Sequence, residues 1–185
     1  MKKIYFMLIL FSIFYITACS SSKTGHQVPV SSNVISQQAT VGIDKGQIPP
    51  DFIITTIDGR QYRLSQFKEE NKPVLLYFWA SWCPYCSRDF DVVKGIYPKY
   101  SDKVTFLAID LDLNEDKELI KNYKDRKGLN GIDFATGKSN VLSDYAIKYT
   151  TTKYAIAKNG VILYKGSGVF NEQQWEVLFN ALVNS

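Results

Sequence analysis

The sequence predicts an α/β fold in which helices cover a mixed β-sheet. Two continuous apolar runs, residues 74–80 and 104–109, are typical of central strands that are buried on both faces. Helical patterns follow both runs, and residues 154–157 and 161–165 then flank a Lys-Asn-Gly turn that is typical of a hairpin. Strand and helix in alternation, followed by a hairpin and a last helix, predict one sheet with helices packed against it.

Size and charge limit the possible classes of protein. The chain has 185 residues, of which 45% are hydrophobic, so it can bury one well-packed domain but not two large ones. The net charge is +4, and the cations are scattered among acidic residues. This balance is typical of a solvated surface and excludes a dedicated nucleic-acid-binding protein.

The N-terminus has the pattern of an export signal. Lys2 and Lys3 precede an apolar run over residues 4–16, which is too short for a confident membrane span. The segment Ile-Thr-Ala-Cys that ends at Cys19 resembles the lipobox of bacterial lipoproteins. We therefore expect residues 1–18 to be a lipoprotein signal peptide and Cys19 to carry a lipid, which would anchor the protein on the extracytoplasmic face of a bacterial membrane. The alternative is an uncleaved anchor with a chance cysteine.

Residues 19–47 are predicted to form a flexible tether, and residues 48–185 the folded domain. Ser, Gln, Thr, Gly and Val dominate the tether without a sustained period. His26, the single histidine of the chain, lies within it. The folded domain therefore has no histidine for a Ser-His or Cys-His hydrolase.

The domain is expected to open with a β-hairpin. Residues 52–56 and 61–64 are β-prone and flank an Asp-Gly turn signal. Ser65 can cap a short helical turn, which Pro73 ends before the first central strand.

The second half of the domain has weaker signals. Asn114 is the predicted cap of a helix, and residues 128–143 are loop-like. Asn171 with Gln174 predicts a capping box for the last helix, whose buried face would begin at Trp175.

Cys83 and Cys86 lie where a predicted strand gives way to a helix. Positions three apart on the first helical turn share a face, so these two cysteines can form a disulfide. Cys83 would lie near the positive end of the helix, which favours the thiolate, and Pro84 suits the first helical position. Cys86 would be the more buried thiol. The pattern predicts a redox pair with an exposed nucleophile, Cys83, and a resolving thiol, Cys86.

Two other interpretations of the Cys-x-x-Cys pattern stay open. It could be half of a zinc site, although a second Cys or His pair is missing, or a purely structural disulfide, although so short a loop gains little chain entropy. A module that binds a metal or an iron–sulfur cluster, or that senses redox state, is the alternative function. For the exchange reaction itself no cofactor and no metal are expected.

A family resemblance covers nearly all of the chain after residue 48. The chain resembles membrane-anchored oxidoreductases with a thioredoxin fold, of the TlpA/ResA type. The matching motifs are Pro50-Asp51-Phe52, Asp58-Gly59, Leu64-Ser65-Gln66-Phe67, Lys72-Pro73-Val74-Leu75 and Phe78-Trp79-Ala80-Ser81-Trp82-Cys83-Pro84-Tyr85-Cys86. The resemblance implies a thioredoxin fold with an N-terminal β-hairpin extension and thiol–disulfide exchange through Cys83 and Cys86.

The resemblance implies roles for further residues. Trp82 would face the substrate, together with the dipeptide Pro84-Tyr85, which is also that of many glutaredoxins. Members of the family often have an acid three residues after the second cysteine, here Asp89, and it would handle protons rather than hold the fold. The alternative is an ordinary surface aspartate near a helix start. General thioredoxins keep their acid on the preceding strand, at the position of Tyr77.

The chain departs from the family in the substrate loop. The family has a cis-proline facing the cysteines, and the corresponding position is Thr151, preceded by Thr150; no proline follows Pro98. We expect Thr150 and Thr151 to contact the substrate, the loop to be shifted or more mobile, and Thr151→Pro to improve general disulfide reductase activity.

The implied partners are protein thiols and disulfides, such as apocytochrome c or a secreted protein. A membrane electron carrier would supply electrons, and the Cys19 lipid would hold the enzyme at the membrane. Reduction of client disulfides is the favoured direction, and oxidation stays open.

Overall fold

A computed structural model describes residues 39–185 of the chain. The strands are β1 (Ile53–Thr55), β2 (Gln61–Arg63), β3 (Val74–Trp79), β4 (Thr105–Asp110), β5 (Asp133–Ala135), β6 (Thr152–Ile156) and β7 (Ile162–Gly166). The α-helices are α1 (Leu64–Glu69), α2 (Pro84–Ile96), α3 (Lys117–Lys127), α4 (Ser139–Asp144) and α5 (Glu172–Val183). The predicted signal peptide, Cys19 and the tether up to residue 38 lie outside the described residues.

The predicted α/β fold with a mixed sheet is confirmed. Five strands form the sheet in the order β5-β4-β3-β6-β7, in which β3, β4 and β5 run parallel and β6 and β7 run antiparallel to their neighbours. The first two strands form the predicted separate hairpin. Every residue of β3 and β4 is buried, as continuous apolar runs require of central strands.

Two hydrophobic clusters cover the two faces of the sheet. Side chains alternate along a strand, so Tyr77 and Trp79 of β3 pack with α2, α3 and α5, whereas Leu76 and Phe78 pack with the hairpin, α1 and α4. Because hydrophobic clusters pack on both faces of β3, its C-terminal end is held in place, and so is the start of α2 that follows it.

The prediction that residues 128–143 form a loop is wrong. This segment contains β5, which pairs with β4, and the start of α4. Both elements are short, and β5 is stabilised by parallel pairing with β4. Such tertiary pairing overrides local propensity, and the local sequence does not reveal it.

Two predicted helix caps are also wrong. Asp116, not Asn114, caps α3, because its Oδ1 accepts from the backbone N of Leu119 at 2.8 Å. Ser65 lies inside α1, whose cap is Arg63. The capping box of α5 is confirmed, with Asn171 and Gln174 bonded reciprocally.

Residues 39–47, assigned to the tether from sequence, pack against the domain instead. The backbone N of Gly46 donates to the carbonyl of Ile162, and Ile162 N donates to the carbonyl of Gln47, each at 2.9 Å. The first residue of β7 is thus hydrogen-bonded to the segment that precedes the predicted domain. In residues 39–185 no helix has both the length and the apolar character that crossing a bilayer requires.

Candidate active site

Cys83 lies at the start of α2, between the end of β3 and Pro84. It is the cap residue of the helix, and its Sγ accepts from the backbone N of Cys86 at 3.1 Å. Pro84 occupies the first turn, where a missing N–H leaves no hydrogen bond unmade. A sulfur in this position faces the positive end of the helix and a backbone donor, an arrangement that stabilises negative charge on it.

Both cysteines are buried free thiols in this structure. Cys83 is only 2% exposed, which corrects the expectation of an exposed nucleophile. Thr150 covers it, since the Cys83 thiol donates to Thr150 Oγ1 at 3.2 Å. Burial raises the pKa of the Cys86 thiol to about 12, and the hydrogen bond to Cys83 adds to this shift.

The substrate loop, residues 149–152, lies directly against Cys83 and is not shifted away from it. Thr151 has φ of 62°, in the left-handed region, and its Oγ1 accepts from Gly168 N at 2.9 Å. Proline cannot adopt a positive φ. Proline therefore does not fit this loop conformation, and the gain of activity expected of Thr151→Pro stays a prediction that the observed backbone opposes.

An open groove of about 590 Å³ runs along the substrate loop, and Thr150, one of its lining residues, contacts Cys83. Its lining residues are Tyr85, Arg88, Tyr149, Thr150, Thr151, Ser167, Gly168 and Val169. Tyr85 and Tyr149 are exposed by 54% and 70%, and the Arg88 guanidinium lies 4.8 Å from the centroid of the Tyr85 ring. The groove therefore offers aromatic surface, one cation and loop backbone to a polypeptide.

Trp82 lies on the exposed surface beside the redox pair. It is 61% exposed, and its Nε1 donates to Asp112 Oδ2 at 2.8 Å. That hydrogen bond fixes the orientation of an indole that remains largely open to solvent.

Asp89 is fully buried, which excludes the interpretation as a surface aspartate. Its Oδ1 accepts from the backbone N of Phe170 at 2.8 Å and from Trp175 Nε1 at 3.3 Å. Its Oδ2 accepts from Tyr77 Oη and from Lys153 Nζ, both at 2.9 Å. Since this carboxylate joins α2, α5, β3 and β6, the expectation that it leaves the fold untouched is wrong.

Tyr77 connects the resolving cysteine with Asp89. Burial raises the pKa of Tyr77 well above its ordinary value, and the negative charges of Asp89 and Cys86 raise it further. Conversely, the interaction with Tyr77 lowers the pKa of Cys86, opposing the effect of burial. The Tyr77 hydroxyl thus interacts with both groups. Tyr77, at the position of the thioredoxin acid, therefore links Asp89 of α2 to the Cys86 thiol.

Lys153 is a site residue that sequence reasoning missed. It is opposite Tyr77 in the β3–β6 register, its side chain is completely buried, and it is ion-paired with Asp89. Burial lowers its pKa, and the charge of Asp89 opposes that shift. The available signal was a lysine in a strand whose next inward position, Ala155, is apolar.

A second acidic group, Asp110 and Glu115, was also missed. Glu115 holds the segment before Cys83, because it accepts from Ser81 N at 3.1 Å and from Ser81 Oγ at 2.6 Å. Burial raises the pKa of Asp110 to about 8, and the neighbouring Glu115 carboxyl raises it further. Asp110 is therefore largely protonated at neutral pH. Its Oδ1 accepts from Asp112 N at 2.9 Å, and its Oδ2 has no hydrogen-bond partner among the described residues.

The two thiols are candidate metal ligands as well as a candidate redox pair. Within residues 39–185 there is no group of three or more His, Cys, Asp or Glu side chains arranged to hold a metal ion. The redox chemistry open to Cys83 and Cys86 is nucleophilic attack on sulfur and formation of a disulfide.

Comparison with known proteins agrees with this geometry. The model of the AhpC/TSA family matches residues 46–165. A thiol-disulfide oxidoreductase ResA from Bacillus cereus is 31% identical over 134 residues, which are 71% of this chain and 74% of the relative. A ResA from Geobacillus thermodenitrificans is 28% identical, with 72% of this chain and 74% of the relative covered.

Solved structures agree as well. A protein from Chlorobium tepidum, assigned as the thiol:disulfide interchange protein DsbE, superposes with a TM-score of 0.66 at 25% identity and covers 77% of this chain and 99% of its own. The matched segment contains β3, the cysteine pair and the substrate loop. The chain belongs to the AhpC/TSA family and is a thiol–disulfide oxidoreductase of the ResA type with a thioredoxin fold.

Proposed function

We propose that this enzyme reduces disulfides of client proteins outside the cytoplasm, with Cys83 and Cys86 as its redox pair. The observation that carries the proposal is the position of Cys83. Its sulfur accepts a backbone hydrogen bond at the start of α2 and contacts Thr150, which lines the groove, with Cys86 one turn behind.

The first step is attack of the Cys83 thiolate on a client disulfide. A bond forms between Cys83 Sγ and one client sulfur, the client disulfide breaks, and the other client sulfur leaves as a thiolate. The Thr150 hydroxyl, which accepts from the Cys83 thiol at 3.2 Å, can rotate to donate to the thiolate.

In the second step Cys86 resolves the mixed disulfide. Cys86 loses its proton and attacks Cys83 Sγ, so the client leaves with its second thiolate and the enzyme keeps a Cys83–Cys86 disulfide. Two electrons have moved to the client. Because burial raises the pKa of Cys86 to about 12, this step needs a proton acceptor, and Tyr77 with Asp89 forms the adjacent route.

The burial of Cys86 supports the reducing direction. A redox pair becomes a strong oxidant when its reduced form is stabilised, chiefly as a thiolate. Here burial keeps Cys86 a thiol, so the reduced pair gains no stabilisation from a Cys86 thiolate, as expected of a pair that is not a strong oxidant. The resulting disulfide would be reduced again by a membrane electron carrier.

The location and the clients are part of the proposal. The signal-like residues 1–18 and the lipobox-like cysteine, Cys19, support a lipid anchor on the outer face of a membrane. Clients would be extended segments around a disulfide, for example in apocytochrome c.

Turnover of a disulfide-bonded peptide tests this function. Wild-type enzyme with an external reductant should reduce the peptide, and Cys83→Ala should abolish turnover. Cys86→Ala should stop after the first step with the peptide attached. Turnover that survives Cys83→Ala would reject the assignment, and purified wild-type protein that contains stoichiometric metal or an iron–sulfur cluster would favour the alternative binding module.

A further inference from the structure

Lys153 is a fully buried cation beneath the redox pair. Its ammonium donates to Asp89 Oδ2 at 2.9 Å, to the carbonyl of Thr151 at 3.1 Å and to the carbonyl of Gly168 at 2.6 Å. An ammonium has three protons, so every donor is used. Only one of the three acceptors carries charge, and the other two are backbone groups of two separate loops.

The aromatic rings around Lys153 form a site that an uncharged side chain could also fill, so packing alone does not require a cation. Its Nζ lies 5.0 Å from the ring centroid of Tyr77, 4.5 Å from that of Phe170 and 5.0 Å from that of Trp175. Such a site would also accept a long apolar side chain, and replacing a buried ion pair by apolar residues is often neutral or stabilising. A purely structural role does not explain why a charge is placed here.

The two carbonyls provide an explanation. Thr151 has φ of 62°, a conformation that is costly for a β-branched residue and persists only where its surroundings hold it. Gly168 N holds it through Thr151 Oγ1, and Lys153 holds it through the Thr151 carbonyl. Lys153 also fixes Gly168 itself, so one ammonium controls both supports of the substrate loop.

We propose that Lys153 is a positioning residue that fixes the substrate loop against Cys83 and anchors that loop to Asp89. In a chain without a proline at this position, the buried ammonium sets the loop conformation in which Thr150 contacts Cys83 and the groove accepts a polypeptide. This role rests on the proposed exchange function. It predicts that Lys153 matters most for substrates that lie along the loop.

Four variants separate this role from simple stabilisation. Lys153→Met removes the cation, Asp89→Asn removes its charged partner, and the double variant removes both and leaves no unpaired buried charge. Lys124→Met is the control, since Lys124 is a mostly buried lysine paired at 2.9 Å with Asp58, outside the groove. Each variant is assayed with an extended disulfide peptide and with bis(2-hydroxyethyl) disulfide, which is too small to lie along the loop.

The ratio of kcat/KM for the peptide to kcat/KM for the small disulfide should fall about tenfold or more in both variants that lack Lys153, as expected from loss of charge-assisted hydrogen bonds. The same ratio should stay at the wild-type value in Lys124→Met and should fall less in Asp89→Asn, in which the ammonium keeps its bonds to both loop carbonyls. Backbone amide exchange of Gly168 should accelerate in the variants that lack Lys153. These results would show that the loop, not overall stability, depends on the cation.

A wild-type ratio in the folded double variant would overturn the proposal, and so would an equal fall in Asp89→Asn. The ammonium can also be observed in the unmodified enzyme by 15N NMR, where three fixed hydrogen bonds should make its proton exchange slow. An ammonium that exchanges as fast as those of exposed lysines would overturn the proposal without any variant. If the wild-type enzyme reduces neither substrate, the proposed function fails, while the NMR and amide measurements still test the position of the loop.

Discussion

The properties of the site residues depend on which side chains bury them, and these neighbours are distant in the sequence. The spacing of Cys83 and Cys86 and the family resemblance were enough to select both thiols and Asp89. They could not show that Asp89 is ion-paired with Lys153, because these residues lie 64 positions apart and meet only when β6 pairs with β3. The exposure of Cys83 was misjudged for the same reason, since the covering residue, Thr150, comes from a distant loop.

Asp89→Asn should destabilise the fold. The variant leaves the Lys153 ammonium buried without its counter-charge, and breaking a buried ion pair in this way costs about 3–5 kcal/mol. Urea unfolding should show this loss in the free energy of unfolding, whereas Asp91→Asn, on the exposed side of the same helix, should change it by less than about 1 kcal/mol. Equal unfolding midpoints for the two variants would contradict the buried network.

Cys86 should resist alkylation over a wide pH range. A thiol with a pKa of about 12 is thiolate in roughly one molecule in ten thousand at pH 8, so its reactivity should rise only above about pH 10. Peptide mass mapping of reduced protein should show label on Cys83 first, and denatured protein serves as the control in which both thiols react. Faster labelling of Cys86 in folded protein would reverse the assigned roles.

The site residues lie at the C-terminal ends of two neighbouring strands, β3 and β4. The C-terminal end of β3 leads into α2. The C-terminal end of β4 carries Asp110 and leads into the loop with Glu115, which holds Ser81. Both strands were predictable from their apolar runs. The role of the β4 end was not, because several acidic residues follow Asp110 closely and the sequence does not show which of these carboxyls lie together.

Asp110 should make stability fall as pH rises. Its pKa is raised in the folded protein to about 8, above the unfolded value of about 3.9, so the folded state holds a proton that the unfolded state releases between about pH 4 and pH 8. Its contribution is complete below pH 4 and is lost as pH passes 8. In Asp110→Asn the free energy of unfolding should depend less on pH. The difference between pH 4 and pH 8 should shrink by on the order of a few kcal/mol. Parallel pH profiles of wild type and variant would show that Asp110 is ionised in the folded state.

Position 151 should reject proline and accept asparagine. Proline cannot reach a φ of 62° and should force the loop away from Cys83, whereas Asn tolerates the left-handed region. Thr151→Pro should lower kcat/KM for a disulfide peptide about tenfold or more, and Thr151→Asn should stay within a few-fold of wild type. Higher peptide activity in Thr151→Pro than in wild type would mean that the loop adopts another conformation in solution.

For the whole molecule, the mixed sheet and the hairpin were predictable, and the limits of the domain were not. Apolar periodicity identified β3 and β4, but the short strand β5 and residues 39–47 are held by partners far away in sequence. Those contacts arise from tertiary pairing, which a local pattern does not encode. The redox pair lies on the most predictable part of the fold, the junction of a central strand and a helix.

Membrane attachment should depend on Cys19. If the cysteine receives a lipid, Cys19→Ala should abolish lipid labelling in bacteria and leave the signal peptide uncleaved, which mass spectrometry detects. Cys83→Ala is the matched control and should be lipidated normally. An unchanged mature mass and unchanged detergent partitioning of Cys19→Ala would reject the lipid anchor.

Exchange through Cys83 and Cys86 is tested most directly by trapping the mixed disulfide. Cys86→Ala, exposed to a disulfide-bonded client peptide, should accumulate one peptide per molecule, and mass mapping should place it on Cys83. Cys83→Ala should accumulate none, because Cys86 is buried and protonated. A peptide found on Cys86 in Cys83→Ala, or no adduct on Cys83 in Cys86→Ala, would contradict the assignment of Cys83 as nucleophile and Cys86 as resolving thiol.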